Sequence, residues 1–305
     1  MMSIAVRAPA KINLFLAVDP PGGDGYHSLT TVFLAVSLFD TVTVSRVRAG
    51  DGLTLAVTGP ESAAVPVDST NLAWRAAALL AVRTGLDADA AITLDKQIPV
   101  AAGLAGGSAD AAATLVALDG LWGTAMAREQ LEELAAELGS DVPFCLHGNV
   151  ALGAGRGDRL SAVLSRGRTD WVLGIALGGL PTPTVYAELD RLRTQRPLPG
   201  ANDLTGVLTA LGRDDPELLG RSLGNDLAPA ALSLRPDLRR AMRAGEEAGA
   251  LGQLISGSGP TVAYLARDAE HAITLAARLS AEGLFVSVRV VSGPAPGPRL
   301  SRSGR

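Results

Sequence analysis

The chain has 305 residues, 47% of them apolar and 19% charged, which is length for two domains or one large one and enough apolar material to exclude wholesale disorder. A formal net charge of −4 implies no polyanion-binding surface and argues against nucleic acid as the main partner. The single cysteine, Cys145, excludes an intrachain disulfide framework and a multi-cysteine metal site, and it suits the reducing cytoplasm.

Residues 3–18 read as one or two extended runs interrupted at Pro9. Residues 12–18 follow Arg7 and Lys11 in the manner of a secretion signal. Seven apolar residues are a short core for one, however, and Asp19-Pro20-Pro21 follows without a small-x-small cleavage site, so no signal peptide is expected. Residues 20–25 are a loop. Residues 29–47 are rich in Thr, Val, Leu and Phe and alternate at TVTVSRV (41–47), which predicts strands; 53–57 is another. Polar residues 68–71 precede a helix that ends near Gly85, and 90–95 is a strand. Residues 99–122 are a glycine-rich loop followed by an alanine-rich helix. A helix over 127–138 is closed by Gly139, and 149–154 and 171–177 are buried strands.

Further helices are predicted from 183, over 204–211, 216–223 and 238–250, and from an Asp268 cap to 281. Strands are expected at 254–259, 261–266 and 284–291. Strands with a few helices, then helices followed by strand–helix–strand, predict an α+β chain of two halves. The polar stretch 156–169 places the boundary near 160. This gives domains 1–160 and 161–293, with 294–305, rich in Pro, Gly and Arg, as a flexible tail. No apolar run approaches the roughly 18–20 residues of a membrane span, so no membrane association is expected.

Of the 27 basic residues, all but Lys11 and Lys96 are arginine. An ammonium is a compact, strongly hydrated point charge, and a guanidinium is a planar fork, so two retained lysines in an arginine-using chain mark candidate sites. The loop Gly103-Leu104-Ala105-Gly106-Gly107-Ser108 lies between a strand and a helix. Glycines let backbone N–H groups converge, and the helix adds unpaired N–H groups and the positive end of its dipole. Together these suit a phosphate. Ser108 could cap the helix or offer its hydroxyl to phosphate or Mg²⁺. The loop is neither GxxxxGK[ST] nor a dinucleotide GxGxxG, and by itself it reads equally well as a turn with tight helix packing.

Three segments, APAKINLFLAV (8–18), PVAAGLAGGSADAA (99–112) and SGSGPTVAYL (256–265), together resemble the motifs of the GHMP small-molecule kinases, which include galactokinase, homoserine kinase and mevalonate kinase. Their order and spacing match across nearly the whole chain. DGYHSLTTVF (24–33), LGSDVPF (138–144) and PTPTVY (181–186) resemble the branch of that family that acts on a cytidine-diphosphate-linked methylerythritol in isoprenoid precursor synthesis. The resemblance implies a cytoplasmic two-domain kinase that uses ATP with Mg²⁺ in a cleft between its halves.

It also implies roles for single residues. Asp141 is the candidate general base; its position before Val142-Pro143 also suits a helix cap. Lys11 is its candidate partner, offsetting charge on the transferred group. Gly103 to Ser108, Lys96 and Asn71 are the candidate ATP contacts, Lys96 as a point charge for phosphate and Asn71 as either an adenine contact or a helix cap. Asn13, two residues along a strand from Lys11, shares its face and is a substrate candidate. Tyr26, His27 and Tyr186 are candidates for reading cytosine, and Gly257-Ser258-Gly259 for closing over phosphates or substrate. His147 and His271 read as structural or surface residues, and Cys145, beside the Asp141 segment, as a small buried hydrophobe.

The loop departs from the family at Ala101, Ala102 and Ala105, where close relatives often carry glycine. Ordinary negative φ is expected at all three. A homoserine- or mevalonate-type kinase, a decarboxylase on the same fold, and a non-catalytic nucleotide-binding protein are the competing readings.

Overall fold

The computed structural model describes residues 2–300 apart from 24, 199 and 202. Asp24 of the DGYH segment and residues 301–305 of the predicted tail lie outside the described residues.

The first half opens with two long antiparallel strands, β1 (Ser3–Pro21) and β2 (His27–Ser45). Pro9 does not break β1. The pairing shifts register between Pro9 and Ala10 and again between Asn13 and Phe15, so the strand absorbs a residue that cannot donate to the ladder. Strand β3 (Leu53–Thr58), helix α1 (Leu72–Thr84) and strand β4 (Ala90–Asp95) follow. Asn71 caps α1 and Gly85 ends it at φ 69°, as the sequence predicts.

Helix α2 (Gly106–Trp122) is alanine-rich and buried on nearly all sides. Small side chains let β1, β2, α1, α3 (Arg128–Leu138) and α4 (Val142–His147) approach it closely, which makes it the central rod of this half. Strands β5 (Val150–Gly155) and β6 (Arg159–Ala162) complete it.

The second half contains β7 (Thr169–Ile175), α5 (Thr182–Gln195), α6 (Leu204–Arg213), α7 (Pro216–Ser222), β8 (Gly224–Asn225), α8 (Ala228–Leu234), α9 (Leu238–Ala248), β9 (Gly252–Ile255), β10 (Val262–Ala266), α10 (Ala269–Ala281) and β11 (Ser287–Gly293). The order in the first sheet is β3-β4-β2-β1-β8, with β5 pairing β2 and β6; in the second it is β11-β7-β10-β9. The central strands of the second sheet, β7 and β10, bury both faces. Trp171, Leu173 and Leu265 join the core of the first half, and Val172, Val262 and Tyr264 pack with α5, α8, α9 and α10.

The halves are less separate than the sequence suggests. Strand β8 pairs with β1 at Phe15 and Leu16, and Val207, Leu211 and Leu219 of α6 and α7 enter the first core. Strand β6 carries the first sheet past residue 160. The predicted flexible tail is corrected over 294–300. The Ala295 N–H donates to the Ala35 carbonyl at 2.9 Å, its carbonyl accepts from Asn149 at 2.7 Å, and its side chain is buried. Pro and Gly there fit a tight backbone docking, which composition alone reads as fraying.

Tyr264 is fully buried and its hydroxyl donates to the Ala241 carbonyl of α9 at 2.8 Å. Tyr264→Phe is expected to cost about 1 kcal/mol of stability, seen as a lower urea midpoint at unchanged slope. An unchanged midpoint would show that this bond contributes nothing.

Candidate active site

A cleft of about 510 Å³ lies where β1, β2, the loop before α2, the start of α4, the start of α5 and the 256–259 turn converge. Lys11 on β1 is 5% exposed at its floor. Its ammonium donates to Asn13 Oδ1 at 2.8 Å and lies 3.7 Å from Asp141 Oδ2. Asn13 Nδ2 donates to Thr31 Oγ1 at 2.9 Å, and Thr31 donates to the Phe15 carbonyl at 2.7 Å. Residues 11 and 13 share a face before the bulge that follows Asn13, so the strand aims both into the cleft. Asp141 precedes α4 but makes no side-chain cap bond. Its carboxylate is 35% exposed and faces Lys11. Of the two readings of Asp141 left open by its sequence context, the side-chain cap is not made.

The loop before α2 reaches the same place. Gly103, Ala105, Gly106, Gly107 and Ser108 line the cleft, whereas the Leu104 side chain is buried in the core and its carbonyl accepts from Lys11 N at 3.1 Å. Ala101 and Ala105 have φ of 53° and 57°, in the left-handed region, which corrects the expectation of ordinary φ at these two positions; Ala102 keeps a negative φ. Turning successive N–H groups toward one point needs left-handed residues, and two alanines accept that conformation at about 1–2 kcal/mol each. At Gly103 (φ 76°) no side chain fits, because a Cβ would lie 2.1 Å from the Ser256 carbonyl oxygen. Ser108 is the third residue of α2, and Ala105 holds the cap position, so of the two roles open to Ser108 the helix cap is not the one it takes.

Lys96 lines the cleft together with Asp110, close to Gly106 of the loop, and its ammonium is already engaged by protein groups. Its ammonium is 2% exposed, bridging Asp40 of β2 and Asp110 of α2, the latter at 2.7 Å. The other Asp40 oxygen accepts from the N–H groups of Gln97 and Ile98, at 2.6 and 2.9 Å. Burial alone would pull the Lys96 ammonium down, but the two carboxylates outweigh it and hold it above its usual value. Burial raises Asp110 to about 7, with Lys96 opposing and Asp40 adding to the rise. Asp110 Oδ1 has no hydrogen-bond partner among the described residues. Lys96 thus holds the entry of the loop to the first turns of α2. Asn71 is similarly committed: its Oδ1 accepts from Ala73 N at 2.8 Å and its Nδ2 donates to the Pro66 carbonyl at 2.7 Å, while the residue lines the cleft.

At the other end Tyr186 lines the cleft, and the His27 ring, outside the lining, lies 5.0 Å from it at 42°. His27 Nδ1 meets the Asp19 carbonyl at 2.7 Å and Nε2 meets Asp190 at 3.2 Å, so both ring nitrogens are engaged. Burial, with the Asp141 carboxylate adding, pushes the Tyr186 phenol up to about 12, which keeps it neutral. Tyr26 is 57% exposed, with the Arg156 guanidinium 3.8 Å above its ring. Gly257 and Ser258 line the cleft; Ser258 Oγ lies 3.0 Å from Thr182 Oγ1, and Gly259 N closes the turn on the Ser256 carbonyl at 2.8 Å. Cys145 is buried, and burial pushes its thiol up, consistent with an inert core residue.

Sequence reasoning did not single out Asp40, Asp110, Thr31, Arg156, Thr182 or Asn225. Thr31, Asp110 and Thr182 lie inside segments that carry the family resemblance. Asp40 and Asn225 carry no local signal for their place in the site, because the groups Asp40 binds and the two carbonyls Asn225 holds lie far along the chain.

Known proteins place this arrangement. The GHMP kinases N terminal domain matches residues 71–149, and the GHMP kinases C terminal domain matches residues 207–283. The chain is 54% identical over 297 residues to the 4-diphosphocytidyl-2-C-methyl-D-erythritol kinase of Nocardia farcinica, covering 97% of this chain and 96% of that protein. It is 54% identical over 300 residues to that of Mycolicibacterium smegmatis, covering 98% and 92%. A crystal structure of 4-(cytidine 5'-diphospho)-2C-methyl-D-erythritol kinase superposes with a TM-score of 0.76 at 34% identity, covering 95% of this chain and 98% of that one. Homoserine kinase from Cytophaga hutchinsonii reaches the same TM-score at 20% identity, which speaks to the fold alone. With both domain matches, and with identity above half over nearly the full length, the chain belongs to the GHMP kinase family, within its 4-diphosphocytidyl-2-C-methyl-D-erythritol kinase branch.

Proposed function

We propose that this chain transfers the γ-phosphoryl group of ATP to the 2-hydroxyl of 4-diphosphocytidyl-2-C-methyl-D-erythritol. The observation that carries the reading is the Lys11–Asp141 pair, 3.7 Å apart in a cleft that the start of α2 also lines. Phosphoryl transfer to an alcohol needs a carboxylate to orient the hydroxyl and accept its proton, and cationic or dipolar groups to stabilise the transferring phosphoryl. Asp141 takes the proton. Lys11, fixed by Asn13 and through it by Thr31, stabilises charge on the attacking and transferring groups. The N–H groups at the start of α2 hold the phosphates. The hydroxyl oxygen attacks in line, and no covalent enzyme intermediate forms. The competing non-catalytic reading would leave a buried ammonium facing a carboxylate without use.

The residues present fit a magnesium ion carried on the nucleotide. Among the described residues there is no cluster of three or more His, Cys, Asp or Glu able to cage a metal. Mg²⁺ in kinases is held mainly by phosphates and water with one or two protein oxygens. Ser108, lining the cleft in the first turn of α2, is the protein oxygen that would hold it. The ion would neutralise charge on the phosphates. Among the described residues no helix is long and apolar enough to cross a membrane; the low cysteine count supports work in the cytoplasm.

The test is coupled ADP release with the cytidylylated methylerythritol as acceptor, beside homoserine and mevalonate. Turnover with the first and none with the others is expected; the reverse pattern would overturn the assignment. Tyr26→Ala is expected to raise KM for the cytidylylated acceptor about tenfold, the scale of losing an aromatic stacking contact, and to leave KM for ATP unchanged. Equal effects on both substrates would remove Tyr26 from cytosine recognition.

A further inference from the structure

We propose that Asn225 is a positioning residue for phosphoryl transfer, fixing the 256–259 turn against Lys11 and the phosphate loop; this rests on the kinase reading above. Asn225 is not among the residues that line the cleft. It stands on the two-residue strand β8, which pairs with β1 at Phe15 and Leu16, just beyond Lys11 and Asn13 on the same strand. Its side chain is fully committed. Nδ2 donates to the carbonyls of Ile255 at 2.6 Å and Gly257 at 2.8 Å, and Oδ1 accepts from Leu227 N at 2.8 Å. Two carbonyls and one N–H fix which end of the amide is which.

The turn it holds touches both halves of the chemistry. A Cβ on Gly257 would lie 3.2 Å from Lys11 Nζ and 3.3 Å from Asn13 Oδ1, so the turn's backbone rests on the ammonium and its partner. Ser256 Oγ donates to the Gly103 carbonyl at 3.0 Å, in the loop that leads into α2. The distance between the phosphate loop and Lys11 is therefore set partly by where this turn sits. The turn is anchored by Asn225 to β1, the strand that carries Lys11. A strand of only two residues has few ladder bonds of its own, so the side-chain bonds supply the rigidity that the ladder does not. Misplacement of reacting groups by about 1 Å can cost about 10²-fold in rate.

Asn225→Asp keeps the size and the acceptor for Leu227 but sets a carboxylate oxygen against two carbonyl oxygens. The expected result is a kcat about 10–10²-fold below wild type per nucleotide-binding site, with ATP affinity within about threefold. A purely structural asparagine would lower thermal stability and leave kcat per binding site unchanged, and that outcome overturns the proposal. A second measurement needs no variant. In ¹⁵N spectra of the wild-type enzyme, the Asn225 side-chain amide protons should exchange slowly. They should also shift when a non-hydrolysable ATP analogue and the acceptor are both added. Fast exchange that ignores both ligands overturns it equally. Absence of ADP release by wild type with this acceptor would instead remove the substrate assignment and leave the amide measurement to decide on Asn225.

Discussion

Replacing Asp141 by Asn is expected to lower kcat by about 10²–10⁴-fold, the scale of losing a general base, with KM for ATP changed by less than about threefold. The substitution preserves shape and removes only charge and proton affinity. It removes no helix cap, since the carboxylate makes no cap bond to α4. It also leaves the Lys11–Asn13–Thr31 chain in place, so the ammonium stays in the cleft without its carboxylate. On the function proposed above, ATP binding rests on the loop at 103–108, which the substitution does not touch, and should persist. The measurement is steady-state kinetics with both substrates varied, beside a thermal melt that should move little. A variant that turns over at the wild-type rate would remove Asp141 from the chemistry and leave the Lys11–Asp141 pair as a structural ion pair.

Lys96→Met is expected to destabilise the protein by about 3–5 kcal/mol, the usual cost of leaving buried charge without its partner. Lys96 sits between two carboxylates that are each almost wholly inaccessible. Asp40 would keep its bonds from Gln97 and Ile98, but Asp110, whose other oxygen already lacks a partner, would keep nothing comparable. A loss of that size is a large part of a typical folding free energy and is read directly from urea unfolding. Combining Lys96→Met with Asp110→Leu removes the uncompensated charge and should recover part of the loss. The competing role, a phosphate ligand, makes the opposite forecast: normal stability and a raised KM for ATP. Finding that pattern would make Lys96, which lines the cleft, a phosphate ligand and dissolve the buried bridge as an explanation.

Much of the fold is legible in local sequence because the physics that sets it is local. Asn71 and Gly85 bracket α1, Asp268 caps α10, and the alternation in β2 and the alanines of α2 each state their structure within a few residues. The tail at 294–300 is the opposite case. Its Pro and Gly content gives no apolar period to read, and its order comes from hydrogen bonds to Ala35 and Asn149, more than a hundred residues away. Ala101 and Ala105 make the same point at smaller scale. The intrinsic cost of a left-handed alanine is about 1–2 kcal/mol, and the packed loop overrides it.

What the amino-acid order alone determined is the set of chemical groups and the family they resemble: two lysines among arginines, a glycine loop before a helix, and a carboxylate ahead of Val142-Pro143. What only the tertiary structure decided is how those groups divide the work. Both lysines look alike in sequence and both line the cleft, yet one meets the half-exposed carboxylate of Asp141 and the other is held between the buried carboxylates of Asp40 and Asp110. The reason is that a charged side chain takes its role from the partners and solvent around it, and those are supplied by β2, α2 and α4, from positions that no local pattern connects.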